Sequence, residues 1–158
     1  MKMLLAVLAL LVTFPAVVGA VAGASLGTPH PAPAARLFPW VPAGGYRDAF
    51  PFGQCTWWAA YNPRVTWNGN AADWIANAEA EGVPTAQTPS VGAIAVYAPG
   101  GSYHPLYGHV AVVIAVTATT YTVSEMNVIA WGRVNTRVIA WPDLQLEGFI
   151  PLRQEDMT

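Results

Sequence analysis

The chain has 158 residues and little charge: charged residues make up 10% of it, its formal net charge is −2, and hydrophobic residues make up 54%. Part of the hydrophobic excess lies in the first two dozen residues, and the remainder is long enough for one domain with a core but not for two. The sequence contains no basic patch or run, which argues against nucleic acid as a partner.

The first 24 residues have the pattern of an export segment. Lys2 precedes a long apolar stretch, and small residues follow as far as Ala24. This order is typical of a secretory signal peptide, and Pro15, which follows the apolar stretch, favours that interpretation. The alternative is a membrane anchor, because residues 3–24 contain no charge and could just span a bilayer. Either way, we predict that the rest of the chain is exported and is secreted, periplasmic or in the cell wall.

Residues 25–45 are rich in proline and glycine, with five prolines between Pro29 and Pro42. This composition predicts an extended linker that has no core of its own. The folded domain is therefore predicted to span residues 46–152, and residues 153–158 form a polar tail.

Two helices are predicted at the start of the domain. The first begins at Cys55 and ends before Pro63, because proline cannot continue a helix. The second spans residues 70–82, with Asn70 as its N-cap and a glycine as its end. Trp74 lies on the apolar face of this second helix, where its default role is to pack in the core.

The spacing of the apolar residues changes after the second helix. Short β-branched runs bounded by Pro, Gly and Thr predict strands there. Helices followed by an antiparallel sheet predict an α+β domain whose N-terminal helices pack on one side of the sheet. The predicted strands are residues 93–97, 109–116, 121–127, 134–139 and 149–150.

Cys55 is the single cysteine of the chain and a candidate nucleophile. A thiol in the first turn of a helix lies near the positive end of the helix dipole and near unpaired N–H groups, and both favour the reactive thiolate. One alternative is that Cys55 only packs in the core as a small buried hydrophobic residue. Another is a structural thiol that pairs with a second chain in an oxidising compartment.

His109 begins the longest predicted strand, at a rim where an imidazole can face a cleft. Glu125 and Asn127 are two residues apart in the following strand, so they are predicted to project from one face. A hairpin of these two strands would return the polar pair to the rim where His109 lies. A carboxylate or amide there could hold the imidazole ring and its tautomer, as cysteine–histidine hydrolases require. The alternative is a strand end that enters solvent.

Five segments resemble, in order, the successive motifs of the CHAP family, the cysteine, histidine-dependent amidohydrolases/peptidases that act on bacterial cell-wall peptidoglycan. The resemblance covers residues 46 to about 152. The segments read FGQCTWW at 52–58, GNAADW at 69–74, PSVGAIAV at 89–96, GHVA at 108–111 and SEMN at 124–127.

The resemblance implies a papain-like α+β fold in which Cys55 is the nucleophile and His109 is its general base and acid. Glu125 would orient and stabilise His109, and Asn127 would support or share that role. Gln54 would contribute to the oxyanion site together with the backbone N–H of Cys55.

Three further residues are candidates for the substrate groove: Trp57, Trp74 and His104. His104 is also the alternative to His109 as the catalytic base. No cofactor is predicted. The segment before the nucleophile, where some family members bind calcium, offers one carboxylate, and calcium prefers several oxygen ligands. His104 and His109 have no further Cys or His at zinc-ligand spacing.

The resulting prediction is an exported bacterial or phage cell-wall hydrolase with peptidoglycan as its partner. It would cleave an amide bond, either as an N-acetylmuramoyl-L-alanine amidase or as a peptide endopeptidase. The alternative is a catalytically silent CHAP-fold module that binds the wall or serves as a scaffold in an envelope machine. The joint presence of Cys55, His109 and Glu125 argues against a silent module. The bond, the target organism and the oligomeric state are left open by the sequence.

Overall fold

The computed structural model describes residues 37–46 and 48–153. The predicted signal peptide or membrane anchor, most of the predicted linker and nearly all of the polar tail lie outside the described residues. Within the described ranges, no helix combines the length and the hydropathy needed to cross a membrane.

Two α-helices precede a sheet of five strands in the described part of the chain, as the α+β prediction required. A 3₁₀ turn, Ala71–Asp73, leads into the second helix. The elements are α1 Cys55–Tyr61, α2 Trp74–Ala80, β1 Ile94–Tyr97, β2 His109–Val116, β3 Thr120–Met126, β4 Val134–Ala140 and β5 Leu146–Ile150.

Local sequence explains where both helices begin and end. Helix α1 stops at Asn62, whose side-chain amide donates a hydrogen bond to the Trp58 carbonyl at 2.8 Å, and Pro63 follows. Ahead of α2, the Asn70 N–H donates to Oδ2 of Asp73 at 3.0 Å, which ties down the helix entry. After α2 the chain turns at Gly82, where the positive φ of 75° favours glycine.

The sheet is antiparallel throughout, with strand order β4-β3-β2-β1-β5. Strand β2 lies at its centre, and its first five residues are buried. The helices cover one face, where Trp74 and Ala78 pack against Val96 and Val110. The opposite face is covered by aromatic side chains; the residues of that cluster include Tyr97, Tyr103, Tyr121, Trp141 and Phe149.

The packed part of the chain begins earlier than the predicted linker boundary at residue 46. Phe38 is 7% exposed and Val41 is 1% exposed, and both belong to the core beneath the helices. Phe38 also stacks on Trp40, with ring centroids 4.7 Å apart. The prediction of a linker without core contacts is therefore wrong for this segment, because its apolar side chains between the prolines pack into the core.

Candidate active site

The start of β2 and the start of α1 meet at one rim of the sheet. Gly108 precedes His109 with a φ of 63°, and a Cβ at this position would lie 2.4 Å from the Tyr97 carbonyl oxygen. Only glycine fits this close backbone approach without distortion. The backbone thereby delivers His109 to the rim where Cys55 begins α1.

The Cys55 thiol is partly buried and hydrogen bonds with the His109 side chain. Burial by itself would raise the pKa of this thiol. The hydrogen bond and charge of His109, with the backbone N–H groups of Val110 and Thr56, outweigh burial and hold the pKa below its ordinary value of 9.0. The arrangement therefore favours a thiolate, the nucleophilic form.

His109 is 4% exposed, and its Nε2 lies 3.1 Å from Oε2 of the wholly buried Glu125. With Nε2 engaged by the carboxylate, Nδ1 is the ring nitrogen that remains for the thiol. Burial opposes a charged imidazole, but Cys55 and Glu125 together raise the pKa of His109 above 6.5. The candidate nucleophile, base and orienting carboxylate are thus in hydrogen-bonding contact, the arrangement that acyl-transfer chemistry requires.

Four hydrogen bonds hold the Glu125 carboxylate. Its Oε2 accepts from His109 and from Nη2 of Arg137 at 2.9 Å. Its Oε1 accepts from Nδ2 of Asn135 at 2.8 Å and from Nε of Arg137. Burial would raise the pKa of this carboxyl, but hydrogen bonds and charges from His109 and Arg137 lower it to about 2. Glu125 therefore stays ionised at neutral pH.

Tyr103, in the loop between β1 and β2, covers the face of the His109 ring. The two rings are parallel within 4°, and their centroids are 5.0 Å apart. Nη2 of Arg137 donates a hydrogen bond to the Tyr103 hydroxyl at 2.8 Å. The imidazole is thus held at its edge by Glu125 and at its face by Tyr103.

Asn127 does not contact His109 as the resemblance implied. Strand β3 ends at Met126, and Asn127 has a φ of 67°, so the two-residue alternation from Glu125 is broken there. The Asn127 side-chain amide instead donates a hydrogen bond to Oε1 of Gln54 at 2.9 Å. The structure thus places Asn127 against the candidate oxyanion residue and not on His109, and a supporting role beside Glu125 stays a prediction.

An open cleft of about 490 Å³ runs over Cys55 and His109. His104 lines it, as predicted for the groove, and stacks on Tyr107 with ring centroids 4.3 Å apart. The lining includes Gln54, Cys55, Asn70, Tyr103, His104, Tyr107, His109 and Asn127.

The two tryptophans predicted for the groove lie elsewhere. Trp74 is fully buried in the core, between Phe50 and Trp67, so its prediction as a groove residue is wrong. Its helical face packs on the sheet and is covered from solvent. Trp57 packs on Phe52 and Tyr61 and is not among the residues that line the cleft.

Sequence patterns missed Arg137 and Asn135, the residues of β4 that hold Glu125. On this edge strand Val134 and Val138 are exposed, at 38% and 70%, while Asn135 and Arg137 turn inward. The segment reads VNTRVIA, which is not a strict alternation of polar and apolar residues, so the sequence does not reveal which of its side chains face inward.

Known proteins are similar to this chain over the region that holds these residues. A model of the CHAP domain matches residues 45–127. A Streptococcus mutans serotype c protein named as a hydrolase is 41% identical over 76 residues, which cover 44% of this chain and 31% of that protein. The autolysin SsaALP of Staphylococcus aureus is 36% identical over 89 residues, covering 52% of this chain and 32% of that one.

A solved structure also matches. The crystal structure of an N-acetylmuramoyl-L-alanine amidase from Staphylococcus aureus aligns with a TM-score of 0.55 and 29% identity, over 59% of this chain and 29% of that chain. The chain therefore spans about a third of the length of each of these relatives.

Proposed function

The chain belongs to the CHAP family, and on that premise we propose that it hydrolyses an amide bond of peptidoglycan with Cys55 as the nucleophile. The observation that carries the proposal is the continuous contact from the Cys55 thiol through His109 to the buried Glu125. Such a contact supplies a nucleophile, a proton carrier and a group that fixes the tautomer of the imidazole.

In the proposed reaction the thiolate of Cys55 attacks the amide carbonyl, and a tetrahedral oxyanion forms. His109, as imidazolium, gives its Nδ1 proton to the leaving nitrogen, so that the C–N bond breaks and a thioester remains. Neutral His109 then accepts a proton from water, which attacks the thioester, and the acid product leaves as the thiol is regenerated. Glu125 stays ionised throughout and stabilises the imidazolium.

Gln54 is the proposed side-chain donor to the oxyanion. Its Oε1 accepts the hydrogen bond from Asn127, so its Nε2 is the end of the amide that is left for a substrate. The side chain lines the cleft beside Cys55, whose backbone N–H is the second proposed donor. A donor fixed before the substrate arrives stabilises developing charge without reorganisation.

The cleft is suited to a largely neutral substrate. Among the described residues that line it, the titratable side chains other than tyrosines are Cys55 and the two histidines, His104 and His109. The stacked rings of His104 and Tyr107 offer an exposed aromatic surface to a sugar or a peptide. The activity named for the structural neighbour favours the amide between muramic acid and L-alanine as the bond that is cleaved.

A peptidoglycan substrate also requires export of the chain. Residues 1–24 would act as a signal peptide or a membrane anchor, and the autolysin relative supports a protein that works at the wall.

Digestion of purified cell walls, followed by mass spectrometry of the released fragments, tests the proposal. We expect new L-alanine amino termini together with glycan strands whose muramic acid ends in a free carboxyl group. The matched control is the same protein after alkylation with iodoacetamide, which has one target because the chain has a single cysteine. New termini inside the peptides would instead assign an endopeptidase, and release of no fragment would refute the hydrolase.

The pH dependence of Cys55 alkylation provides a second prediction. The lowered pKa of Cys55 and the raised pKa of His109 both shift the pair toward thiolate and imidazolium. We expect the alkylation rate to rise with pH at a midpoint below 9.0. Wall hydrolysis should fall again as the pH rises through the pKa of His109 above 6.5, because the acid for the leaving nitrogen is lost. An alkylation midpoint near that of a free thiol would contradict the contact.

A further inference from the structure

Arg137 joins both residues that hold the catalytic histidine. Its Nε and Nη2 donate to the two oxygens of Glu125, and its Nη2 also donates to the Tyr103 hydroxyl. The guanidinium carbon lies 5.4 Å from the centre of the Tyr103 ring. A single planar group thus fixes the carboxylate at the edge of His109 and the ring that stacks on its face.

The position of Arg137 fits this role. It lies on β4, paired with Val123 of β3, and its side chain is 32% exposed while that of Glu125 is 0% exposed. Asn135, two residues earlier on the same strand, donates to the same carboxylate. Two inward-facing residues of this edge strand therefore hold Glu125, although no residue of β4 lines the cleft.

We infer that Arg137 is a positioning residue of the Cys55–His109 pair, acting through Glu125 and Tyr103. The inference rests on the proposed cysteine mechanism. Arg137 contributes in two ways. Its forked donors set the orientation of the imidazole through Glu125, and its positive charge keeps Glu125 ionised, so that Glu125 stabilises the imidazolium that pairs with the thiolate. The titratable or charged groups that surround His109 are Cys55 of α1, Tyr97 of β1, Tyr103 of the β1–β2 loop, Glu125 of β3 and Arg137 of β4.

Two substitutions separate orientation from charge. Arg137→Met removes both the fork and the charge, whereas Arg137→Lys keeps the charge but cannot donate to both carboxylate oxygens and Tyr103 in one plane. Tyr103→Phe removes the hydroxyl anchor alone. Arg64→Met is the matched control, because it removes one positive charge from an exposed loop position far along the chain from these contacts.

The experiment measures kcat/KM for wall hydrolysis and the pH midpoint of Cys55 alkylation by iodoacetamide, in which the thiolate displaces iodide and forms a C–S bond. For Arg137→Met we expect kcat/KM to fall by about tenfold to a hundredfold and the alkylation midpoint to rise, since a misplaced imidazole and a lost positive charge both disfavour the thiolate. Arg137→Lys should recover only part of the midpoint shift and part of the rate, because it restores the charge but not the fork. Arg64→Met should match the wild type in both.

An unchanged midpoint and a kcat/KM within about twofold of wild type in Arg137→Met would overturn the inference, given the scale of effects expected for a misplaced base. If that variant does not fold, wild-type rates in both Arg137→Lys and Tyr103→Phe overturn it instead. Alkylation needs no peptidoglycan. A wild-type protein that cleaves no wall would therefore refute the proposed function while the midpoints still decide the role of Arg137.

Discussion

Replacement of Cys55 with alanine is expected to abolish wall hydrolysis, with kcat/KM reduced by about 10⁴-fold or more because the nucleophile is gone. No second thiol is available in the chain. Cys55→Ser should also be nearly inactive, because a hydroxyl, unlike a thiol, does not ionise when it hydrogen bonds with His109. The measurement is the initial rate of release of new amino termini from purified walls.

The fold should survive this substitution. Cys55 is partly exposed at the start of α1, and alanine removes a single sulfur atom, so the free energy of unfolding should change by about 1 kcal/mol or less. Thermal unfolding and sedimentation of the variant with walls serve as controls: both should resemble the wild type. Hydrolysis at the wild-type rate by a folded Cys55→Ala protein would refute the cysteine mechanism. The catalytic group would then have to be another residue of the cleft, with His104 as one candidate.

Replacement of Glu125 with glutamine is expected to reduce kcat/KM by roughly 10²-fold or more, because neither orientation of the new amide suits the site. If its oxygen faces His109, its NH₂ group meets the donors of Arg137 and Asn135. If its NH₂ faces His109, the imidazole must accept at Nε2 and carries its proton on the nitrogen that faces Cys55. Both arrangements weaken the thiolate–imidazolium pair.

The same substitution should change how stability depends on pH. The pKa of Glu125 is about 2 in the folded protein, against an ordinary 4.5. A lowered pKa stabilises the fold above pH 4.5, and this contribution of about 3 kcal/mol is lost as the pH falls from 4.5 toward 2. Glu125→Gln should therefore be less stable than wild type at neutral pH, and the difference in the free energy of unfolding between the two proteins should become smaller in acid. Chemical denaturation at several pH values measures it.

Glu147→Gln is the matched control for both effects, because Glu147 is an exposed carboxylate on β5. Burial and the charge of Asp73 raise the pKa of Glu147. Loss of this carboxylate should therefore not reproduce the difference in stability that becomes smaller in acid. Activity should match the wild type. Equal stability of Glu125→Gln and wild type at every pH would contradict the ionised, four-bonded carboxylate of the structure.

The helices and the central strand could be read from the sequence because their signals are local. Pro63 stops α1, Gly82 turns the chain after α2, and the apolar run from His109 predicts β2 with the bounds that the structure has. The segment around Phe38 and Val41 was misread for the same reason. Proline content reports local stiffness, whereas burial depends on which distant surface the apolar side chains meet.

Two kinds of information were needed to find the contact between Cys55, His109 and Glu125. Residue type and family resemblance pointed to Cys55, His109 and Glu125, and the structure brings these three side chains together. Asn127 does not contact His109 because one backbone angle of 67° ends the alternation of β3, and a two-residue period carries no warning of such a change.

Chain order and residue chemistry therefore determined the α+β class and both helices, and together with the family resemblance they predicted Cys55 and His109 as nucleophile and base. Tertiary structure alone decided that Asn127 holds Gln54 and that Arg137 of an edge strand holds Glu125. These last contacts join residues on different strands and loops, where register and backbone angles, rather than local preference, determine which side chains meet.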